Sequence, residues 1–273
     1  MKQINFYKMV ASGNDFVVVD NRQKEISDPI SFTREVCRFH TGIGADGVLL
    51  IENSKKADYK MRIINPDGSE AEACGNGFRC AALLAQKLGF SKQQRFESLS
   101  GMIEAEIKGE RVRVRMPDPA EYRNSEKIDV KGRGLHYYFI RTGVPHVVIF
   151  VEGISKVPVF EIGKEIRFHP RFKPAGTNVN FVEIKGPESI EVRTYERGVE
   201  QETLACGTGS TASAVISTIV GYIKPPVRVK TQSGEVLTVD FQRKGEKIQD
   251  LFLEGEAKFV FEGTVPVLKA PVL

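Results

Sequence analysis

Two segments of this 273-residue chain open in the same way, and that repetition limits its fold more than any other feature. The first reads Cys74-Gly75-Asn76-Gly77-Phe78-Arg79-Cys80-Ala81-Ala82; the second reads Cys206-Gly207-Thr208-Gly209-Ser210-Thr211-Ala212-Ser213-Ala214. The two lie 132 positions apart, close to half the chain. Ser12-Gly13-Asn14-Asp15-Phe16 resembles Thr142-Gly143-Val144-Pro145-His146 at an offset of 130, Gly44–Leu50 aligns with Gly176–Val182 at 132, and Ser100-Gly101 matches Ser233-Gly234 at 133. Four matches in one order at a nearly constant offset predict a duplicated chain. The first repeat, carrying Cys74, is expected to span residues 1–117 with 263–273; the second, carrying Cys206, spans 118–262. The break is placed near Pro117-Asp118-Pro119, where two prolines interrupt a strand-like run.

Strand patterns dominate both repeats. Ile103–Ile107 and Arg111–Met116 alternate apolar with polar across Lys108-Gly109-Glu110, which predicts a hairpin. Val227–Lys230, Val236–Phe241 and Lys258–Phe261 continue the habit in the second half. Helices are few. One is expected over Ser31–His40, with Phe32, Val36, Cys37 and His40 on one face; the others follow Cys74, ending at Gly89, and Cys206, fading near Gly221. The fold class is therefore α/β of the α+β type, each half holding antiparallel strands around one buried, small-residue helix.

The composition excludes several functions. Basic and acidic residues, 39 against 35, are mixed along the chain with no basic stripe, which argues against nucleic acid as a partner. No apolar run approaches a membrane span and the N-terminus has no signal-peptide pattern. The four cysteines, at 37, 74, 80 and 206, form neither a disulfide framework nor metal-ligand spacing, so a cytoplasmic protein with free thiols and no metal is expected. Cys37 and Cys80 read as small buried apolar residues.

Cys74 and Cys206 read differently, because each stands just ahead of a helix. The first N–H groups of a helix lack intrahelical partners and carry partial positive charge, so a thiolate placed there is stabilised. The following Gly-x-Gly leaves those N–H groups uncovered for an anion such as a carboxylate. Two such segments supply an acid, a base and a cradle. That equipment suits inversion of a carbon next to a carboxylate: one thiolate removes the α-proton and the other thiol returns a proton to the opposite face. The α-proton of an amino acid is very weakly acidic, so a dry site with preset dipoles must supply most of the stabilisation.

These residues, together with Gly42-Ile43-Gly44-Ala45-Asp46-Gly47, Asn65-Pro66-Asp67-Gly68-Ser69 and Tyr195-Glu196-Arg197-Gly198-Val199-Glu200, resemble the diaminopimelate epimerase family over nearly the whole chain. The resemblance implies two pseudo-symmetric halves, each an antiparallel β-barrel around a central helix. It also implies a homodimer, no metal and no organic cofactor. The implied reaction interconverts LL- and meso-2,6-diaminopimelate, serving lysine and peptidoglycan-precursor synthesis. Cys74 and Cys206 would be the alternating base and acid, with the backbone of Gly75-Asn76 and Gly207-Thr208 binding the reacting carboxylate. Asn14, Asn65, Asn178, Glu196 and Arg197 would recognise the substrate, and His146 and Glu196 would support the chemistry.

Asn14 and Asn65 also read as turn residues, Glu196-Arg197 as an exposed charge pair, and His146 as a structural histidine. Val144 departs from the asparagine common in the family, which leaves one substrate contact open, and no contact is assigned to Asp46-Gly47. Two other functions remain open at this point. A proline- or hydroxyproline-type racemase would share the fold but need no second carboxylate site. A non-catalytic anion-binding module would tolerate loss of both thiols.

Overall fold

The computed structural model describes residues 3–245 and 247–266. The chain traces β1 (Gln3–Ala11), β2 (Asn14–Asp20), α1 (Pro29–Val36), β3 (Gly47–Glu52), β4 (Tyr59–Ile64), α2 (Gly75–Lys87), β5 (Gln93–Ser98), β6 (Gly101–Lys108), β7 (Arg111–Arg115) and β8 (Ala120–Val130). It continues through β9 (Arg133–Thr142), β10 (Val144–Phe150), α3 (Val159–Arg167), β11 (Asn178–Gly186), β12 (Ser189–Glu196), β13 (Gln201–Thr203), α4 (Gly207–Ile219), β14 (Val227–Lys230), β15 (Val236–Lys244), β16 (Lys247–Glu256) and β17 (Lys258–Pro266).

Two compact units result: Met1–Val114 with Gly255–Leu273, and Arg115–Glu254. In the first, the strands pair in the order β17-β1-β2-β3-β4-β5-β6-β7. In the second they pair in the order β8-β9-β10-β11-β12-β14-β15-β16, with β13 on the far end of β12. The same pairings are parallel in each: β2–β3 and β4–β5 in one, β10–β11 and β12–β14 in the other. The remaining pairings are antiparallel, so each sheet is mixed rather than purely antiparallel.

Strand β17 moves the boundary. The sequence reading gives Lys258–Phe261 to the second half and returns the chain to the first at 263. In the structure Lys258–Pro266 pairs antiparallel with β1, so the return comes at Gly255. The first crossing falls at Val114/Arg115, ahead of the two prolines.

The central strands are buried on both faces, which explains their unbroken apolar runs. Val18, Leu49 and Ile51 face α2, whereas Val17, Val19, Val48 and Leu50 face the core under α1. In the second unit Val148 and Val182 join the core around α4, while Val147, Ile149, Val179 and Phe181 join the one under α3. Helices α2 and α4 are enclosed by strands: Asn76 to Ala85 and Gly209 to Thr218 are buried throughout. Small residues allow that approach, and the buried hydroxyls of α4 bond back one turn, Ser213 Oγ to the Gly209 carbonyl and Ser217 Oγ to Ser213, both at 2.7 Å.

Two helices differ from expectation. α1 stops at Val36 rather than His40, because Gly42, Ile43 and Gly44 turn back to donate to the Arg38 and Val36 carbonyls. His40 is exposed with φ 65°. α3 answers to no helical pattern in the sequence: only Val159, Gly163 and Ile166 of its nine residues are buried, too few for a clear helical period. Gly163 is where it meets β12, since a Cβ there would stand 2.4 Å from the Tyr195 side chain.

Candidate active site

Each cysteine occupies the N-cap position of a helix. Cys74 takes extended dihedrals (φ −150°, ψ 108°) ahead of α2, and its Sγ accepts from the Gly77 N–H at 3.4 Å. Cys206 takes φ −117°, ψ 110° ahead of α4; its Sγ makes no capping bond and lies 3.5 Å from Thr208 Oγ1. The helical ladders begin at Phe78, donating to the Cys74 carbonyl, and at Ser210, donating to the Cys206 carbonyl. The N–H groups of Gly75, Asn76, Gly207 and Thr208 precede those first rungs, in the position where an anion is favoured. A backbone bond ties down the run before each cysteine: Ser100 N–H donates to Glu72 in one unit, and Ser233 N–H to Leu204 in the other.

Around Cys74 the side chains form a network that the sequence did not reveal. Asn76 Nδ2 donates to Asn14 Oδ1 at 2.6 Å, and Asn14 Nδ2 donates to Asp46 Oδ2 at 2.9 Å. The buried Arg79 guanidinium reaches Asn76 Oδ1 at 3.0 Å and Ser12 Oγ at 2.5 Å. Lys8, also buried, pairs with Asp15 and donates to the Gly44 carbonyl. The available signals were Lys8 in an otherwise alternating strand and Arg79 in an apolar helical run. Asn65 lies at a turn instead, its Nδ2 on Ser69 Oγ at 3.0 Å and its carbonyl accepting from Gly68 N–H.

In the second unit His146, Asn178 and Asn180 are all buried on neighbouring strands β10 and β11. His146 and Asn178 are register partners on the parallel strands β10 and β11. Asn178 bonds backbone on both sides: Nδ2 to the Pro145 carbonyl at 3.1 Å, and Oδ1 from the Arg197 N–H at 2.8 Å. The Arg197 side chain donates to the Ala175 carbonyl. Thr142 Oγ1 donates to the Thr208 carbonyl at 3.0 Å, joining β9 to the head of α4. Val144 is a strand residue of β10 and supplies no side-chain polar group.

Of the groups shifted from ordinary values, three are sequence-predicted site residues or cysteines. Burial, assisted by the Arg197 charge, pushes His146 down to about 3. Burial raises the Glu196 carboxyl, opposed by its bond from Thr203 Oγ1 at 2.9 Å. Burial also pushes the Cys37 thiol up to about 12. The four cysteines are not joined in disulfides. Among the described residues no three His, Cys, Asp or Glu side chains converge as metal ligands, and no helix is long and apolar enough to cross a membrane.

This architecture is shared with solved structures of distant sequence. A phenazine biosynthesis protein of the PhzF family from Bacillus anthracis superposes with a TM-score of 0.74 at 18% identity, covering 98% of this chain and 100% of its own. A hydroxyproline epimerase from Agrobacterium vitis gives a TM-score of 0.68 at 18% identity, covering 97% and 91%. These define the fold. The family described as diaminopimelate epimerase matches residues 6–121 and 138–260. Diaminopimelate epimerases of Aquifex aeolicus (47% identity, 95% of this chain and 97% of the relative) and Chlorobaculum tepidum (41%, 94% and 99%) align almost end to end. The chain belongs to the diaminopimelate epimerase family.

Proposed function

We propose that this protein epimerises LL-2,6-diaminopimelate to the meso form, using Cys74 and Cys206 as alternating base and acid. The observation that carries the reading is that α2 and α4 each begin at a cysteine, followed by Gly-x-Gly, in a chain alignable over its length with diaminopimelate epimerases. One thiolate takes the α-proton, and the electron pair delocalises into the adjoining carboxylate. The N–H groups of Gly75, Asn76, Gly207 and Thr208 stabilise that charge. The opposite thiol then gives its proton to the other face. Thiol and thiolate have exchanged places, which is the starting state for the reverse reaction. The reaction proposed needs neither metal nor organic cofactor.

Substrate recognition is assigned to Asn14, Asn65, Asn178, Glu196 and Arg197, with Arg197 the planar partner for the distal carboxylate. His146 and Glu196 support the reaction. The enzyme is proposed to act as a cytoplasmic homodimer in lysine and peptidoglycan-precursor synthesis. A racemase acting on proline is less well supported, since the relatives of that kind share the fold at low identity. The test is incubation with LL-diaminopimelate without added cofactor, followed by chiral analysis. Appearance of the meso isomer, and no action on proline or hydroxyproline, is the expected result; the reverse pattern would remove the assignment.

A further inference from the structure

The sequence assigns Asp46 no contact, yet a hydrogen-bonded chain ends on its carboxylate. The chain begins at the buried Arg79 guanidinium, which donates to Asn76 Oδ1 at 3.0 Å. A guanidinium can only donate, so Arg79 fixes which end of the Asn76 amide is oxygen. Asn76 Nδ2 then donates to Asn14 Oδ1 at 2.6 Å, and Asn14 Nδ2 to Asp46 Oδ2 at 2.9 Å. A carboxylate can only accept. With an obligate donor at one end and an obligate acceptor at the other, neither asparagine can turn its amide over without breaking two of these bonds.

Asp46 is exposed, but it is a fixed point. Its Oδ2 also accepts from the Asp15 N–H at 3.2 Å, and its own N–H donates to the Asp15 carbonyl at 3.0 Å. Asp15 pairs with the buried Lys8, which donates to the Gly44 carbonyl two residues ahead of Asp46. The turn that carries Asn14 and the loop that carries Asp46 are thus tied together. Asn14 itself is half-buried, and each end of its amide uses one of its two bonding positions in this chain. One hydrogen and one lone pair are left to face a ligand. An amide already fixed in direction spares a ligand the cost of ordering it.

We propose that Asp46 is a positioning residue for substrate binding: its carboxylate fixes the orientation in which Asn14 presents its second amide hydrogen and second lone pair to the substrate. The inference rests on the epimerase reading given above and on the place that reading gives Asn14.

Two measurements on the whole protein test it. The first is the side-chain amide spectrum of nitrogen-15-labelled protein without substrate. In the wild type the two Asn14 amide hydrogens should be well separated, one displaced by its bond to the carboxylate; in Asp46→Ala they should converge. The second is steady-state kinetics. Asp46→Ala should raise KM for LL-diaminopimelate about tenfold and change kcat by less than about threefold. Asp46→Asn, whose side-chain oxygen can accept in the same place, should recover most of that loss. In an Asn14→Ala background Asp46→Ala should add less than about twofold, because the residue it orients is gone. Asp46→Ser, which has no carboxylate, is read in the same way if Asp46→Ala does not fold. A full rise in KM in the Asn14→Ala background would show that Asp46 acts by another route. That result, an unchanged KM, or wild-type Asn14 hydrogens that do not separate overturns this proposal alone. A wild type that shows the separated hydrogens but does not epimerise overturns the activity reading and, with it, the role of Asp46.

Discussion

The buried guanidinium of Arg79 donates to Oδ1 of Asn76 at 3.0 Å, which turns the Asn76 amide nitrogen toward Asn14. The first turn of α2 is therefore held by a charge one turn further on. The repeat-related position in α4 is Thr211, whose hydroxyl bonds back to the Gly207 carbonyl at 2.9 Å. The two thiols share a backbone setting but not a side-chain one.

Arg79→Met fills similar volume but leaves Asn76 and Ser12 without their buried donor. Stability should drop on the order of 2–4 kcal/mol, and KM should rise because Asn76 is no longer oriented. Denaturant unfolding and steady-state kinetics check this; unchanged values of both would show that the network is idle.

Gly209→Ala should be damaging out of proportion to one methyl group. Its Cβ would overlap Asn180 Oδ1 at 2.3 Å and crowd Cys206 Sγ at 3.3 Å. We expect a loss of about 1–3 kcal/mol of stability and a fall in kcat, measured by thermal unfolding and epimerisation assay. Gly221→Ala is a poor control, since Gly221 has φ 85°; Ser217→Ala, away from the thiol, is a better one.

The pH dependence of stability should carry the mark of His146. Its folded pKa, about 3, lies below the ordinary 6.5, so the unfolded chain binds the extra proton first as pH falls. The contribution is complete above about 6.5 and is lost as pH drops toward 3, on the order of 5 kcal/mol at the limit. Glu196, whose pKa is raised, works oppositely: its contribution is present below the ordinary carboxylate range and declines as pH rises through its folded value. His146→Gln should flatten the slope between pH 3 and 6.5. Equal slopes in wild type and variant would mean that the histidine is not buried as described.

Much of this was legible because duplication wrote the same signals twice. The Cys-Gly-x-Gly openings predicted where α2 and α4 begin, and the glycines at 89 and 221, both at positive φ, marked their ends. The strand alternation of 103–107 and 111–116 gave a hairpin that forms as β6 and β7. What was not legible depends on long-range pairing. Nothing local in Lys258–Phe261 says that its partner is β1, more than 240 residues away. The parallel pairings were hidden because strands buried on both faces lose their alternation. Within the candidate site, Asn178 and Asn180 share a face of β11 by simple alternation, but only the structure shows that Asn180 bonds His146. Asn65 reads in the sequence both as a turn residue and as a substrate contact; its observed bonds are those of the turn.

Cys74→Ala and Cys206→Ala should each lower kcat by about a thousandfold or more, since each removes half of an acid–base pair. Neither should unfold the protein. Cys74→Ala loses one weak cap bond, worth about 1 kcal/mol at most, and Cys206 makes none. Near-normal turnover in either variant would show that its thiol is not an acid–base group.

The proposed two-thiol mechanism makes a demand on isotopes that a single base does not. In deuterated water, early in the conversion of LL-diaminopimelate, newly formed meso product should carry one deuterium at the inverted α-carbon while recovered substrate remains almost unlabelled. The proton leaves to one sulfur and the deuteron arrives from the other. Mass spectrometry of the separated isomers at low conversion makes the measurement. Equal labelling of product and recovered substrate at that stage would mean one group serving both faces, and the two-thiol account would fall.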